Sequence, residues 1–447
     1  MNAMHPTRRR FLQTSLSAAG ASVAAVAWAG EPPQVTRPRA TDGDERYEPD
    51  WDKRLTLTIG HEKGDLNGKD DKVIQAGVDY VARLGGGTVK ILPGEYRLRN
   101  SIYLPSGIRV VGSGPESVIT KIASEPLPIS GDSDWYDQEI TVKDPAGLQV
   151  GDGIVIITKS PSSGARQVIK RTLVARSGNR FKLSDGLREN VWLSAEPICA
   201  PQFPLFTSEY TSDVTIENIT LDGNRENNMH LDGNYAGCIF IQDCNRYTFR
   251  GVEARNYNGD GISFQICHDV RVENCHSHDN ADLGVHPGSG SQRPVIRGCT
   301  LERNTIGLFW CWGVKYGLAE ENRIAENGNY GVSIGHNDTD NVMRHNEITG
   351  SGKVGILFRD DARGEDFWAN RNVVEHNRIL DSGDEEGIAI DVQGQTKDVT
   401  LAHNEIRETR MPAHRTGIRI GPEAARIELM ENTIEGFAQS VVDERSA

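Results

Sequence analysis

The sequence predicts an all-β chain: a parallel β-helix, meaning a solenoid of stacked coils, entered through a capping helix and interrupted by a small β insertion. Three observations predict it. From Asn258 to Asp361 five segments share one pattern: Gly261-Ile-Ser-Phe-Gln, Gly284-Val-His-Pro-Gly, Gly307-Leu-Phe-Trp-Cys, Gly331-Val-Ser-Ile-Gly and Gly355-Ile-Leu-Phe-Arg. Their glycines lie 23, 23, 24 and 24 residues apart. Self-similarity at such a period means stacked units, none able to bury its apolar face alone. A second motif marks one corner: Glu217-Asn218, Glu273-Asn274, Glu321-Asn322, His345-Asn346, His376-Asn377, His403-Asn404 and Glu431-Asn432. Asparagine tolerates left-handed backbone, and its amide can hydrogen-bond to the coils above and below. Third, 447 residues exceed one ordinary globular domain, a limit that a solenoid escapes by growing along one axis.

Composition bounds the partners. The formal charge of −14 excludes a basic nucleic-acid-binding face as the main character of the chain. It also weighs against an anionic polysaccharide unless basic residues gather locally. Residues 1–29 read as a twin-arginine signal peptide: Thr7-Arg8-Arg9-Arg10-Phe11-Leu12 resembles the export motif, an apolar small-residue segment follows, and Ala27-Trp28-Ala29 has the A-x-A cleavage pattern. The apolar segment is shorter than the roughly 20 residues of a membrane span. The expected location is periplasmic or extracellular, with no membrane span after processing and a mature charge near −17 (−14 − 3). The seven cysteines, an odd number without close-set pairs, form no disulfide framework and suit core packing.

Residues 30–60, with Pro32, Pro33, Pro38 and Pro49 among charges, read as a linker. The stretch 61–126 holds the capping helix and the first coils. Asp70-Asp71 suit a helix N-terminus; Val73, Ile74, Gly77, Val78, Val81 and Leu84 mark one helical face; Gly85-Gly86-Gly87 stops it. Asp70-Asp71, Ile74-Gln75-Ala76, Gly85-Gly86-Gly87-Thr88-Val89 and Leu92-Pro93-Gly94-Glu95-Tyr96 together resemble the opening of pectate-lyase-like right-handed parallel β-helix proteins. The resemblance implies a right-handed solenoid whose open end the helix covers, hiding a strand edge. It implies almost nothing about chemistry. Periodicity breaks over 127–205, where β-branched runs and a hairpin pattern read as a β insertion that shields a groove or grips substrate. Coils resume over 206–447, those from Gly355 and Gly387 being longer, at 32 and 30 residues.

After each repeat glycine, side chains alternate inward and outward. The inward pairs, from Ile262/Phe264 through Leu308/Trp310 to Ile418/Ile420, are all apolar, so Trp310 is core and not a sugar platform. The outward face mixes polar groups with gaps at glycine. Beside it stand Asp260, Asp282, His286, His336 and Arg359, the candidate catalytic residues. Carboxylates one or two coils apart have the separation of glycosidic chemistry, about 5–9.5 Å. Histidine supplies a base or an orienter. Gln265, Phe309, Trp312, Lys315, Asp338, Asp360 and Asp391 are candidate substrate-binding residues; Arg359 and Lys315 also qualify as base or charge neutraliser in a lyase. Asp360, Asp361 and Asp391 could hold Ca²⁺, an ion that takes oxygen ligands.

Asn258-Gly-Asp260-Gly, Asn280-Ala-Asp282 and Ser333-Ile-Gly335-His336 also resemble polygalacturonase motifs in part. A paired aspartate is missing where Leu283 stands, and no Gly-His-Gly leads the histidine. The signature of the alginate epimerases is not visible. His276-Ser-His278-Asp279 through Asp282 has enough ligands for a metal, but its spacing matches no known motif and a solvated turn accounts for it. The small residues Gly288, Ser289, Gly290 and Ser291 suggest room for a ligand beside His286. The resulting expectation is an exported carbohydrate-active enzyme, a polysaccharide lyase or glycoside hydrolase working on a polysaccharide in the β-helix groove. The alternative is a non-catalytic β-helix binding glycan or a cell-surface partner. Convergence of the five catalytic candidates separates the two.

Overall fold

A computed structural model describes residue 33, residues 48–410 and residues 414–445. The twin-arginine motif and most of the linker stretch lie outside the described residues. No described helix is long and apolar enough to cross a membrane.

The first described strand is Leu55–Gly60, inside the stretch that composition assigns to the linker, paired in parallel with Gly87–Ile91. Between them runs the helix Asp71–Arg83. Asp70 caps it, accepting from the Lys72 and Val73 backbone N–H groups at 3.2 and 3.4 Å. Val73, Ile74, Gly77, Val78 and Val81 are buried against the first coil, whereas Leu84, counted with that face in the sequence, is exposed. Gly77 is there because a Cβ would press into Ile59, at 2.8 Å from its Cδ1.

Each coil then contributes three strands. In one coil these are Asp260–Gln265, Arg271–Glu273 and His276–His278, and each pairs in parallel with its counterpart one coil on: Ile262 with Val285, Val272 with Ile296, Ser277 with Leu301. The first strand of every coil builds an 11-stranded parallel sheet; the others join a 22-stranded one. Between the sheets lies one continuous core of the inward residues, Trp310 included. The predicted parity holds along the sheet, but one register does not. Ile388 pairs with Val354 and Ile390 with Ile356, so Ala389 takes the repeat glycine's place and Asp391 stands beside Leu357. The cysteines are unpaired, six of them buried and Cys311 half-exposed.

The corner asparagines do two different jobs. Asn218 and Asn274 themselves take left-handed backbone, with φ of 49° and 51°. From Asn322 on, the left-handed residue is the one before: Glu321, His345, His376, His403 and Glu431. The asparagine side chain then points inward. Asn346 Oδ1 accepts from the Asn322 backbone N–H (3.1 Å) and Asn322 Nδ2 (2.9 Å), while its own Nδ2 donates to Ala319 O and to Asn377 Oδ1. The pattern repeats through Asn377, Asn404 and Asn432. Asn346→Ala strands a buried N–H and a buried carbonyl, at about 1–3 kcal/mol each. A lowered urea midpoint is expected, and a midpoint equal to wild type would show that the ladder is decorative.

The stretch 127–205 forms its own antiparallel six-stranded sheet, around a separate core of Ile140, Ile156, Phe181 and Leu183 among others. Its two long strands, Gly153–Lys159 and Arg166–Ser177, form a hairpin, and Arg180–Leu183 folds back on the second.

Candidate functional site

Register places Ser263 beside His286, Phe309 beside Ser333, Leu357 beside Asp391 and Asp391 beside Arg419 on the outward face of the 11-stranded sheet. Two of the catalytic candidates meet there directly. His286 Nδ1 lies 2.7 Å from Asp260 Oδ2, and both side chains are sealed from solvent. The loop carrying Gly233 closes over them; a Cβ at Gly233 would collide with the Asp260 carboxylate, and Ser263 Oγ donates to Gly233 O. Burial lifts Asp260 to about 6, with His286 pulling the other way. Burial likewise opposes charge on His286, but the Asp260 carboxylate outweighs it and raises the imidazole to about 10. Between those values the pair is imidazolium and carboxylate. His286 Nε2 is buried with no hydrogen-bond partner among the described residues and faces the Cys311 side.

A pH dependence follows. The His286 pKa is raised from 6.5 to about 10 on folding, so its contribution to stability is complete below about 6.5 and is lost as pH rises through about 10. The urea midpoint of wild type is expected to fall across that window more steeply than that of His286→Gln. Parallel curves would remove the pair from the stability balance.

Phe309 links this pair to Arg359. Its ring lies 5.3 Å from His286, edge to face, and 4.4 Å from the Arg359 guanidinium carbon. Arg359 lies across Gly335, donates to Ser333 Oγ (2.8 Å) and Trp310 O (3.2 Å), and faces Asp338 at 3.7 Å. Asp338 is not a free ligand for substrate: it is fully buried and accepts from the backbone of Gly313, Val314 and Gly335, which fixes a turn. Burial raises its carboxyl to about 6 against the pull of Arg359. His336 stands apart, between Trp312 (4.9 Å) and Phe367 (5.5 Å). Burial lowers its pKa, and Nδ1 accepts from the Arg363 backbone N–H, so the neutral ring carries its proton on Nε2. Trp312 is 41% exposed, with Arg363 stacked 4.4 Å from its centroid.

The remaining candidates do not join. Asp282 pairs instead with His230, at 2.7 Å, a partner 52 residues away in a loop outside the repeat. Gln265 folds over Gly288, where a Cβ would strike its amide, and bonds Ser263 and Ser289; the room that the small residues promise is thus filled. Lys315 sits in the ladder Gln292–Lys315–Thr339, next to Asp340 and not next to Arg359. Asp391 is held by Arg419 in a two-pronged pair at 2.7 and 2.9 Å. Asp361 faces Arg359 and Arg363, and Asp360 lies by Gly394. With Asp361 and Asp391 tied to separate arginines, the three carboxylates do not gather into a Ca²⁺ cage among the described residues.

A cavity of about 690 Å³ opens at the head of the same face, where the insertion stands over the strands Ile102–Tyr103, Phe206–Glu209 and Gly237–Gln242. Sheet residues Tyr103, Glu209 and Phe240 form its floor; Lys170 and Arg188 come from the insertion. The Lys170 ammonium lies 4.0 Å from the Phe240 centroid and donates to Tyr235 O at 3.1 Å. Lys170 is an exposed residue at the cleft mouth; the atoms packed around its ammonium lower its pKa to about 8, with Glu209 opposing. Desolvation raises the Tyr103 phenol, and Glu209 adds to it. Neither Lys170 nor Glu209 was marked by any motif. Val168-Ile-Lys-Arg171 reads as an ordinary strand, and only the tertiary placement of the insertion brings it to the sheet.

Comparison with known proteins agrees with this architecture. Residues 206–366 match the family model described as right handed beta helix region. Over 304 residues the chain is 22% identical to mannuronan C5-epimerase AlgE2 of Azotobacter vinelandii, covering 66% of this chain but only 22% of that protein. The A-module of mannuronan C-5 epimerase AlgE4 from the same organism superposes with a TM-score of 0.56 at 16% identity, covering 87% of this chain and all of that one. PfbA, a surface adhesin of Streptococcus pneumoniae, gives 0.50 at 12% identity, covering 86% and 93%. The fold is a right-handed parallel β-helix, and the likeness to the solved structures is one of fold.

Proposed function

We propose that the chain is an exported polysaccharide-processing enzyme of the pectate-lyase-like kind, which lays a carboxylate-bearing glycan along the outward face of the 11-stranded sheet and removes a proton beside a carboxylate in the head cleft. The observation that carries this is the cleft itself, a sugar-sized cavity whose lining includes both an amine at about 8 and a phenol kept protonated. Neutral Lys170 takes the proton from the carbon next to the carboxylate, and Arg188 offsets the charge that builds there. In elimination, the electron pair forms a carbon–carbon double bond as the glycosidic oxygen leaves with the Tyr103 proton. In epimerisation, a proton returns to the other face of the same carbon. Further along, Arg359, its guanidinium over the Phe309 ring, serves as a carboxylate subsite for the same strand. Arg188 in the cleft and Arg359 further along are the local basic gathering that an acidic chain needs for an anionic glycan.

The curated relative's name, a C5-epimerase, belongs to the same proton-removal chemistry. Hydrolysis loses support because its two carboxylates are occupied, Asp260 by His286 and Asp282 by His230. Binding without catalysis is the second reading, favoured by the scatter of Asp260, Asp282, His286, His336 and Arg359, which do not all meet in one site, and by the exposed Trp312 with its stacked Arg363. Incubation with alginate, polygalacturonate and neutral glycans tests the set. Absorbance of unsaturated products, or deuterium uptake from heavy water into the glycan, is expected with an acidic polymer. Reducing ends without either would show a hydrolase, and retention of glycan with no product would establish the second reading. Export by the twin-arginine route to the periplasm or beyond completes the proposal; a mature N-terminus at Gly30 is the expected result of sequencing the secreted protein.

A further inference from the structure

We propose that Glu253, His276 and His278 bind one divalent transition-metal ion of the zinc class, on a face of the coils other than the 11-stranded sheet. The strands Glu253–Arg255 and His276–His278 are parallel neighbours, Glu253 beside His276 and Arg255 beside His278. Ala254 and Ser277 point into the core, so the other four side chains share the outer side. One ligand atom from each of Glu253, His276 and His278 lies within 4.8 Å of the other two. A tetrahedral zinc site with bonds of about 2.0–2.1 Å has ligand separations of about 3.3 Å, a closure that side-chain rotation supplies.

The surroundings are those of a ligand set, beyond the mere proximity of three groups. The two imidazoles stack face to face, with centroids 3.9 Å apart, so both rings lie on one side of the coil. His278 directs Nε2 at Glu253 Oε1 (3.1 Å) and Nδ1 at Asp279 Oδ2 (2.5 Å). A carboxylate on the far nitrogen of a ligating histidine fixes its tautomer and raises its basicity. Glu302 does the same for His276, meeting Nε2 at 3.2 Å, and leaves Nδ1 with no hydrogen-bond partner among the described residues. Arg303 in turn anchors both outer carboxylates, Asp279 at 3.0 Å and Glu302 at 2.7 Å. Glu253 is steadied by Thr220 and Arg255. Three carboxylates (Glu253, Asp279, Glu302) meet three arginines (Arg255, Arg303, Arg323), so a divalent ion is held by neutral imidazole lone pairs plus one carboxylate and not by bulk charge. Two nitrogens and one oxygen suit zinc and its first-row neighbours; calcium, which takes oxygens, is excluded by the same list. The His276 side chain is 39% exposed, which leaves the fourth position open to water.

The test uses the full mature chain without an affinity tag, stripped with chelator and titrated with zinc chloride by calorimetry, then with cobalt(II) followed by visible absorption. One ion per chain and a tetrahedral cobalt spectrum are expected. His276→Ala and Glu253→Gln are expected to abolish both signals, while their metal-free thermal midpoints stay at the wild-type value. Asp279→Asn, which touches no metal, is expected to weaken binding by about 10–100-fold. Failure of wild type to take up zinc at micromolar concentration overturns the proposal. So does equal binding by His276→Ala. Neither result depends on whether the chain acts on a glycan.

Discussion

Asp260→Ala lowers the stability of the folded chain by about 3–5 kcal/mol at neutral pH, the cost of leaving the other member of a buried ion pair uncompensated. Asp260 and His286 are both closed off beneath the Gly233 loop, so water cannot take the missing partner's place. Asp260 also accepts from the Leu283 backbone N–H at 3.2 Å, which ties the pair to the start of the next coil. Asp260→Asn keeps an acceptor for His286 and should cost less. Asp260→Asn combined with His286→Gln removes both charges and should recover part of the single-mutant loss, giving a coupling energy on the order of 0.5–3 kcal/mol. Urea unfolding, followed by far-UV circular dichroism with intrinsic fluorescence as a second probe, measures this; coincidence of the two curves matters because long repeat arrays can unfold piecemeal. A loss below about 1 kcal/mol for Asp260→Ala would mean that the pair is solvated after all and that the Gly233 loop does not seal it.

Most of the scaffold was legible because it repeats. Glycine spacing and inward aliphatics each recur enough times that one exception does not mislead, and the parity of Ile262, Val285, Leu308, Val332 and Ile356 is as the repeat predicts. Where the period stretches, after Gly355, register slipped by two residues: Gly387 imitates a repeat glycine that is in fact Ala389. The asparagine corner was legible as a position but not as a mechanism. Cys275 and Cys299 occupy the column that becomes asparagine from Asn322 onward, the Cys299 N–H donating to Asn322 Oδ1 at 2.9 Å. The site was legible only in pieces. Asp260, His286, Phe309 and Arg359 were legible singly, as outward or strand-edge positions, but neither the Asp260–His286 contact nor the Arg359–Phe309 contact was. Asp282 was lost to His230 and Gln265 to Gly288 because loops outside the repeat, and the reach of long side chains, have no period to read. Lys170 was invisible for the same reason: its role depends on where an aperiodic insertion docks.

Lys170→Ala is expected to cut turnover on the acidic glycan by about 10²–10⁴-fold, the usual weight of a general base, with a much smaller change in KM. Lys170→Arg should be no better than alanine, since a guanidinium keeps its proton throughout the working range. In wild type, activity should climb as pH rises through about 8, as the free amine appears. Loss of the Lys170 charge leaves the Phe240 face and the Tyr235 carbonyl exposed at the mouth of a solvent-open cleft, so the thermal midpoint should move little and the effect reads as chemistry. Arg359→Ala provides the contrast. Arg359 stands several coils from the Phe240 strand, so its loss should raise KM for long chains and leave turnover of saturating substrate nearly unchanged. If turnover instead collapses in Arg359→Ala and survives in Lys170→Ala, the reacting sugar sits over Phe309, and the insertion only grips the strand.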